Sequence, residues 1–239
     1  MTVPHRPEEP PEIGDRGEQP ITGLAEAADS GSAEDVNVSR LAAFSDGVFA
    51  IAATLLILDV HVPSPSEPVS NLFSRGWPTL LAVTLSFIVI GIAWMHHHNL
   101  FHHVRVASRA LLTANLALLL FISALPLAAA VLGTHLSGHQ QRLATVIYTI
   151  SLGLVSACFV ALWAILCHRP RLLQPGSYQL ALTARRRALL GLGTYVAAVI
   201  VALLLPAAAL ALIGVLLCYY LVGRRAPTSR TSRPGSDPV

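Results

Sequence analysis

The chain has 239 residues, of which 54% are hydrophobic and only 12% are charged. This balance is typical of a membrane protein with several spans and excludes an ordinary soluble domain. All sixteen basic residues are arginine, the formal net charge is +3, and nine of the thirteen acidic residues lie within residues 1–35. The arginines outside that stretch suit an anionic membrane surface better than nucleic acid, so we expect lipid contacts and no nucleic-acid partner.

Composition divides the chain into three parts. Residues 1–36 are acidic and contain scattered Pro, Gly and Ser, which predicts a disordered cytoplasmic tail. Residues 37–223 form the predicted transmembrane domain, and residues 224–239 form a second disordered tail that is basic.

Six apolar segments have about the length that crosses a bilayer. Their predicted bounds are 40–60, 77–98, 109–132, 143–166, 188–205 and 207–222. The last two are separated only by Pro206 and its neighbours, so a tight helical hairpin turning near Leu205 is the economical interpretation. One long kinked helix is the alternative. The predicted fold is all-α, with six transmembrane helices in each chain.

Arginines are concentrated on alternate sides of these spans. The loops after spans two and four and the segment after span six contain eleven arginines, whereas the opposite loops contain only Arg75 and Arg142. The positive-inside rule therefore predicts that both termini are cytoplasmic, which requires an even number of spans. The expected location is the cell membrane.

The first span, RLAAFSDGVFAIAATLLILD, runs from Arg40 to Asp59 and contains Asp46 in its interior. A carboxylate inside a bilayer segment is costly unless it is paired or hydrated, which makes Asp46 a candidate functional residue. Two interpretations remain open at this point. Asp46 belongs either to a gate or proton site, or to a structural polar clamp between helices.

The same span carries an apolar stripe. Ile51, Leu55 and Leu58 are spaced i, i+4, i+7 and share one helix face, with Thr54 beside them. Asp46 lies about 140° from Ile51 around the helix, which points it away from the stripe. Ordinary packing against neighbouring helices is the simplest interpretation of such a stripe.

Histidines are clustered at the end of the second span. Imidazoles at this density could bind a transition metal or titrate near neutral pH. The five residues are His96, His97, His98, His102 and His103.

A membrane di-iron oxygenase would combine this cluster with His135 and His139. The predicted topology places those two residues on the other side of the membrane, and no acidic residue occurs between Glu67 and Asp237. Interfacial histidines are therefore the favoured interpretation. We expect no metal site, no cofactor and no enzymatic activity.

Three ordered segments share features with a known family. Arg40, Phe44, Ser45, Asp46 and Gly47 form R-x-x-x-F-S-D-G; Trp94, His97, His98 and Phe101 form W-x-x-H-H-x-x-F; and span three begins SRALLTANLALLLFISALP, which contains Asn115. Together they resemble the transmembrane protein 175 family of potassium channels, in its single-repeat prokaryotic form.

The resemblance implies a homotetramer of six-helix subunits around a central pore that the first helix lines. Ile51, Leu55 and Leu58 would then form stacked apolar rings, with Thr54 among the pore-lining residues. Arg40, Ser45, Asp46 and His98 would belong to a polar network that holds the first helix against the second and third.

These observations lead to three functional hypotheses. The first is passive conduction of potassium ions by a tetramer of this chain. The second is a proton-coupled transporter or proton leak that uses Asp46 and the histidines of residues 96–103. The third is a membrane scaffold that conducts no ions.

Overall fold

A computed structural model describes residues 38–60 and 64–222; both predicted tails, 1–36 and 224–239, lie outside the described residues. The described part of the chain is built from helices. They are α1 (Val38–Leu55), α2 (Asn71–Ser74), α3 (Trp77–His102), α4 (Arg109–His135), α5 (Gln141–His168), α6 (Tyr178–Leu204) and α7 (Pro206–Val222). Two 3-10 turns, Leu56–Asp59 and Pro170–Leu172, follow α1 and α5.

Six of these helices correspond to the six predicted spans. Five segments, α1 with its 3-10 turn and α3 to α6, are long and apolar enough to cross a bilayer, and α7 is a shorter apolar helix. Local sequence explains individual helix ends: the Ser108 side chain accepts a hydrogen bond from the Leu111 backbone N–H and so caps α4. The predicted all-α membrane fold is confirmed.

The helix of the fifth predicted span, α6, begins earlier than predicted. The apolar run suggested a start near residue 188, but α6 begins at Tyr178. Residues 185–187, the three consecutive arginines that were assigned to a loop, therefore lie inside a helix. The prediction was wrong because hydropathy locates the part of a helix that is in lipid, whereas arginine is a good helix former and the backbone bonds continue beyond the bilayer.

The arginine-containing loops meet at one end of the helices. The Arg105 backbone N–H donates to the Leu172 carbonyl at 2.7 Å, and the Gln174 N–H donates to the His103 carbonyl at 2.9 Å. These bonds join the loop after α3 to the loop after α5. Residues 103–109 and 169–177 are called the arginine-rich end below.

The last two helices form a hairpin. They are separated by the single residue Leu205, and Gly191 of α6 faces Tyr220 of α7 so closely that a β-carbon at position 191 would overlap the tyrosine hydroxyl. The number of residues between Gly191 and the turn at Leu205 is nearly the same as the number between that turn and Tyr220. Only an antiparallel pair brings them together, so the kinked single helix is excluded.

The interior of the bundle is centred on α4 and α5. Leu118, Ile122 and Leu125 of α4 are fully buried, as is Tyr148 of α5. The Tyr148 hydroxyl shares a 3.0 Å hydrogen bond with Ser86 of α3, so this buried polar pair is satisfied.

Candidate functional site

The first long helix, α1, has two distinct faces. Its buried residues recur every three or four positions, as expected for a helix that packs one face against neighbours. They are Leu41, Ser45, Phe49, Ala52 and, in the 3-10 turn, Leu56. This face lies against α3 and α4.

The predicted apolar stripe lies on the opposite face. Ile51, Leu55 and Leu58 expose 61%, 43% and 76% of their surface in the single chain. Leu58 belongs to the 3-10 turn, in which side chains three residues apart are eclipsed, so Leu58 remains in line with Leu55. A single chain leaves all three side chains uncovered, so another copy or lipid must cover them.

Thr54, beside the stripe, is also exposed. Its hydroxyl is within hydrogen-bond distance of the Ala50 and Ile51 carbonyls, at 3.1 and 3.0 Å. Because the hydroxyl has one proton, which is bonded within α1, Thr54 offers only acceptor lone pairs to its surroundings.

A buried chain of hydrogen bonds joins α1 to α3 and α4. The Asn115 amide donates to Ser45 Oγ at 3.0 Å, and His97 Nε2 lies 2.9 Å from Asn115 Oδ1. Ser45 Oγ in turn donates to the Leu41 carbonyl at 2.9 Å. Ser45, Asn115 and His97 are each fully buried, so three helices are fixed at one polar point. This set of three side chains is called the polar anchor below.

The direction of each bond in the polar anchor follows from its chemistry. The Leu41 carbonyl can only accept, so Ser45 uses its one proton there and accepts from the Asn115 amide. Asn115 therefore turns its carbonyl oxygen to His97, and Nε2 of His97 must carry the proton. The other ring nitrogen, Nδ1, is buried without a hydrogen-bond partner among the described residues.

Aromatic rings enclose the histidine of the polar anchor. The His97 ring centroid lies 4.5 Å from that of Phe101 and 5.2 Å from that of Phe49. The contact with Phe49 was missed from sequence, although its spacing of four residues from Ser45 puts both side chains on one face of α1.

The carboxylate of Asp46 has a separate partner. The Trp94 indole N–H donates to Asp46 Oδ1 at 2.9 Å, which forms a second link between α1 and α3. Asp46 is half-buried. The Trp94 ring also lies 5.7 Å from that of His98, which is itself exposed.

The remaining motif residues are placed differently. Arg40, Phe44 and Gly47 are exposed, and a β-carbon at position 47 would meet no atom within 4 Å. Of the four residues that the resemblance placed in one network, Ser45 is in the polar anchor and Asp46 is in the Trp94 pair. His98 lies against the Trp94 ring, and the polar anchor is completed by His97, which the same motif contains.

The histidines do not assemble into one group. His102 and His103 are adjacent at the arginine-rich end, with ring centroids 5.5 Å apart. His135 ends α4, which begins at that same end and has 27 residues. A helix of that length separates the two groups by about 40 Å, so they cannot share a metal ion within this chain.

Comparison with known proteins identifies the family. Residues 40–126, which contain most of α1, all of α3 and most of α4, match the model described as endosomal/lysosomal potassium channel TMEM175. A protein of Streptomyces collinus named potassium channel is 40% identical over 139 residues, which cover 57% of this chain and 68% of that protein. The chain belongs to the TMEM175 family.

Two further relatives differ in name and length. A potassium channel of Chamaesiphon minutus is 36% identical over 54% of this chain and 66% of its own length. The human endosomal/lysosomal proton channel TMEM175 is 37% identical over 59% of this chain, but only 31% of the human protein is covered. Members of the TMEM175 family are thus named both as potassium and as proton channels.

Solved structures extend the match to a larger share of the chain. A lysosomal potassium-selective channel TMEM175 homolog from Chamaesiphon minutus superposes with a TM-score of 0.71 and 27% identity, covering 79% of this chain and 98% of that one. A variant of the potassium channel MtTMEM175 has a TM-score of 0.52 at 18% identity, which supports the fold alone.

Proposed function

We propose that this chain forms a potassium-permeable leak channel in which α1 lines the pore. The observation that carries the proposal is the uncovered apolar stripe, because it lies on a helix whose opposite face the polar anchor joins to α3 and α4. The TMEM175 family model matches residues 40–126, which include this stripe, and two relatives of the chain are named potassium channels.

Several copies are needed to enclose a pore. One chain contributes a single α1, so its stripe can face a central axis only if symmetry-related copies close a ring. We propose a homotetramer in the cell membrane, with both termini and the arginine-rich end on the cytoplasmic side. In that arrangement, Ile51, Leu55 and Leu58 each form a ring of four apolar side chains, and Thr54 lies beside them.

Apolar rings control ion passage through dehydration. An ion in a narrow apolar ring loses water without gaining protein ligands, and potassium loses water more readily than sodium. Because no carbonyl ligands replace that water, selectivity for potassium over sodium is moderate. The same rings can close the pore by excluding water altogether.

The polar anchor has a supporting role in this mechanism. It holds one face of α1 against α3 and α4 through bonds of 2.9 and 3.0 Å, so the opposite face is presented in a fixed orientation. The Asp46–Trp94 bond adds a second fixed point one residue further along α1. In this proposal, Asp46 is a structural polar clamp between helices and not part of a gate or proton site.

Proton conduction is the second candidate function. Two observations favour it: the human relative is named a proton channel, and Nδ1 of His97 is a buried acceptor without a hydrogen-bond partner among the described residues. In this alternative, Asp46 and the histidines of residues 96–103 relay protons along α3.

Ion flux in liposomes tests the pore assignment. Ile51→Asn places a polar ring in the constriction, so we expect faster potassium flux and a lower preference for potassium over sodium. Ile200→Asn on α6 is a matched control, because Ile200 is 60% exposed and Ile51 is 61% exposed in the single chain. The control is expected to leave both properties unchanged.

Assembly is measured on the same preparations by cross-linking. A tetramer with normal stability is expected for both variants. Unchanged flux and selectivity in an intact Ile51→Asn tetramer would place the pore elsewhere.

A further inference from the structure

A large cavity lies away from α1, between α3, α5, α6 and α7. Its volume is about 650 Å³. Pockets that bind small organic ligands have volumes of roughly 300–1,000 Å³, so this space is large enough for one ligand. The polar anchor and the apolar stripe of α1 do not contribute to its walls.

The polar lining residues are grouped near the arginine-rich end. Gln179, Thr183 and Arg187 are spaced four apart on one face of α6, and they lie across from the last turns of α3. His96 and Asn99 of α3 complete this polar rim. The His96 ring packs edge-on against Tyr220 of α7 at 5.2 Å, which joins the rim to the hairpin.

The deeper walls of the cavity are mainly apolar. Val89 precedes His96 by seven residues on α3, and Leu152 precedes Phe159 by seven residues on α5. Seven residues span about 10 Å along a helix, so Val89 and Leu152 lie that much deeper in the cavity. Tyr195 and Leu217 line the same inner region from α6 and α7. The lining of the cavity therefore changes from polar to apolar over a distance comparable to the length of a short hydrocarbon chain.

The rim has positive charge, and none of the four helices that line the cavity contains a carboxylate side chain to balance it. Arg187 lines the rim, and its side chain is exposed. The sequence has no Asp or Glu from residue 68 to residue 236, so no acidic side chain of α3 to α7 can pair with it. An anionic group from outside these helices fits this charge.

We propose that the cavity binds one acyl chain of an anionic phospholipid from the surrounding bilayer. The phosphate accepts hydrogen bonds from the Arg187 guanidinium and from the amides of Asn99 and Gln179. The acyl chain extends past Ile92 and Val89 into the apolar region. This site shares no residue with the proposed pore-lining stripe of α1, and its occupancy can be measured without any measurement of conduction.

Native mass spectrometry of the full chain in detergent tests the proposal. Phosphatidylglycerol and phosphatidylcholine with identical acyl chains are added in equal amounts, and the retained lipids are counted. We expect preferential retention of phosphatidylglycerol. Arg187→Gln is expected to lower that preference about fivefold, which is the contribution of one arginine near an anionic surface.

Arg186→Gln is the matched control, because Arg186 is exposed on the same helix but does not line the cavity. It is expected to keep the preference of the unmodified chain. Equal losses in the two variants would indicate general attraction to a basic surface and would overturn the site. Equal retention of the two lipids by the unmodified chain would also overturn it.

The acyl-chain part of the proposal has its own test. Ala188→Trp fills the cavity from α6 and is expected to reduce retention of both lipids; Ser156→Phe fills it from α5 if the first variant is unstable in a melting experiment. Millimolar inorganic phosphate is expected to leave bound lipid in place. Displacement by phosphate, or palmitate competing as well as phosphatidylglycerol, would overturn the phospholipid assignment.

Discussion

Replacing Asn115 with leucine is the most direct test of the polar anchor. Leucine has the same branched heavy-atom skeleton as asparagine, so it leaves no cavity at this site, while the bonds to Ser45 and His97 are lost together. Hydrogen bonds between membrane helices contribute about 0.6 kcal/mol each on average. The larger loss comes from His97, whose buried Nε2–H is left without an acceptor at a cost of about 1–3 kcal/mol.

Together these contributions predict that Asn115→Leu lowers the free energy of unfolding by about 2–4 kcal/mol. Ser45 contributes little to the loss because its hydroxyl keeps the bond to the Leu41 carbonyl. The measurement is reversible unfolding in mixed micelles as the denaturing detergent is increased, followed by circular dichroism. Thr113→Val is the control: its exposed hydroxyl donates only within α4, so a change below about 0.5 kcal/mol is expected.

A double variant separates the buried donor from the lost bonds. In His97→Phe/Asn115→Leu, no donor or acceptor of this pair remains, and a phenyl ring keeps the stacking with Phe49 and Phe101. We expect the double variant to be more stable than Asn115→Leu alone by about 1 kcal/mol or more. Additive losses, or an Asn115→Leu protein as stable as the unmodified chain, would refute the assignment of this cluster as an anchor.

The other predictions concern the carboxylate of α1 and the hairpin. Asp46→Asn keeps a carbonyl oxygen for the Trp94 indole, so we expect an intact tetramer and unchanged potassium flux in liposomes; loss of flux from an intact tetramer would favour the proton relay. Gly191→Ala forces a β-carbon against the Tyr220 hydroxyl and should cost about 1–3 kcal/mol in the same unfolding assay, with recovery when Tyr220→Phe is added. Gly193→Ala meets no atom within 4 Å and should stabilise α6 by up to about 1 kcal/mol; equal effects at the two glycines would contradict the close hairpin contact.

Predictions from local patterns agreed with the structure where one helix sufficed to decide them. The spans followed from the length and hydropathy of each segment. Helical periodicity predicted that Ile51, Leu55 and Leu58 share one face of α1, but it did not predict that this face is exposed in the single chain. The start of α6 was missed because the limits of an apolar run mark the edge of lipid and not the end of a helix.

Only the tertiary structure shows which residues of different helices bond to each other. Sequence offered five histidines near the end of α3, and only the packing of α1 and α4 selects His97 as the one that bonds to Asn115. The bond between Asn115 and Ser45 joins residues 70 positions apart, and no local pattern specifies such a pairing. The rotation and depth at which each helix packs decide it.

The sequence by itself therefore determined a six-span helical membrane protein with an apolar stripe on its first helix, because bilayer thickness and the 3.6-residue helical repeat act within each segment. The tertiary structure alone decided the polar anchor and the cavity lined by Arg187, and it chose the predicted α6–α7 hairpin over the kinked single helix. Each of these depends on which faces of separate helices are in contact. Those contacts are determined by packing between residues that are far apart in the chain.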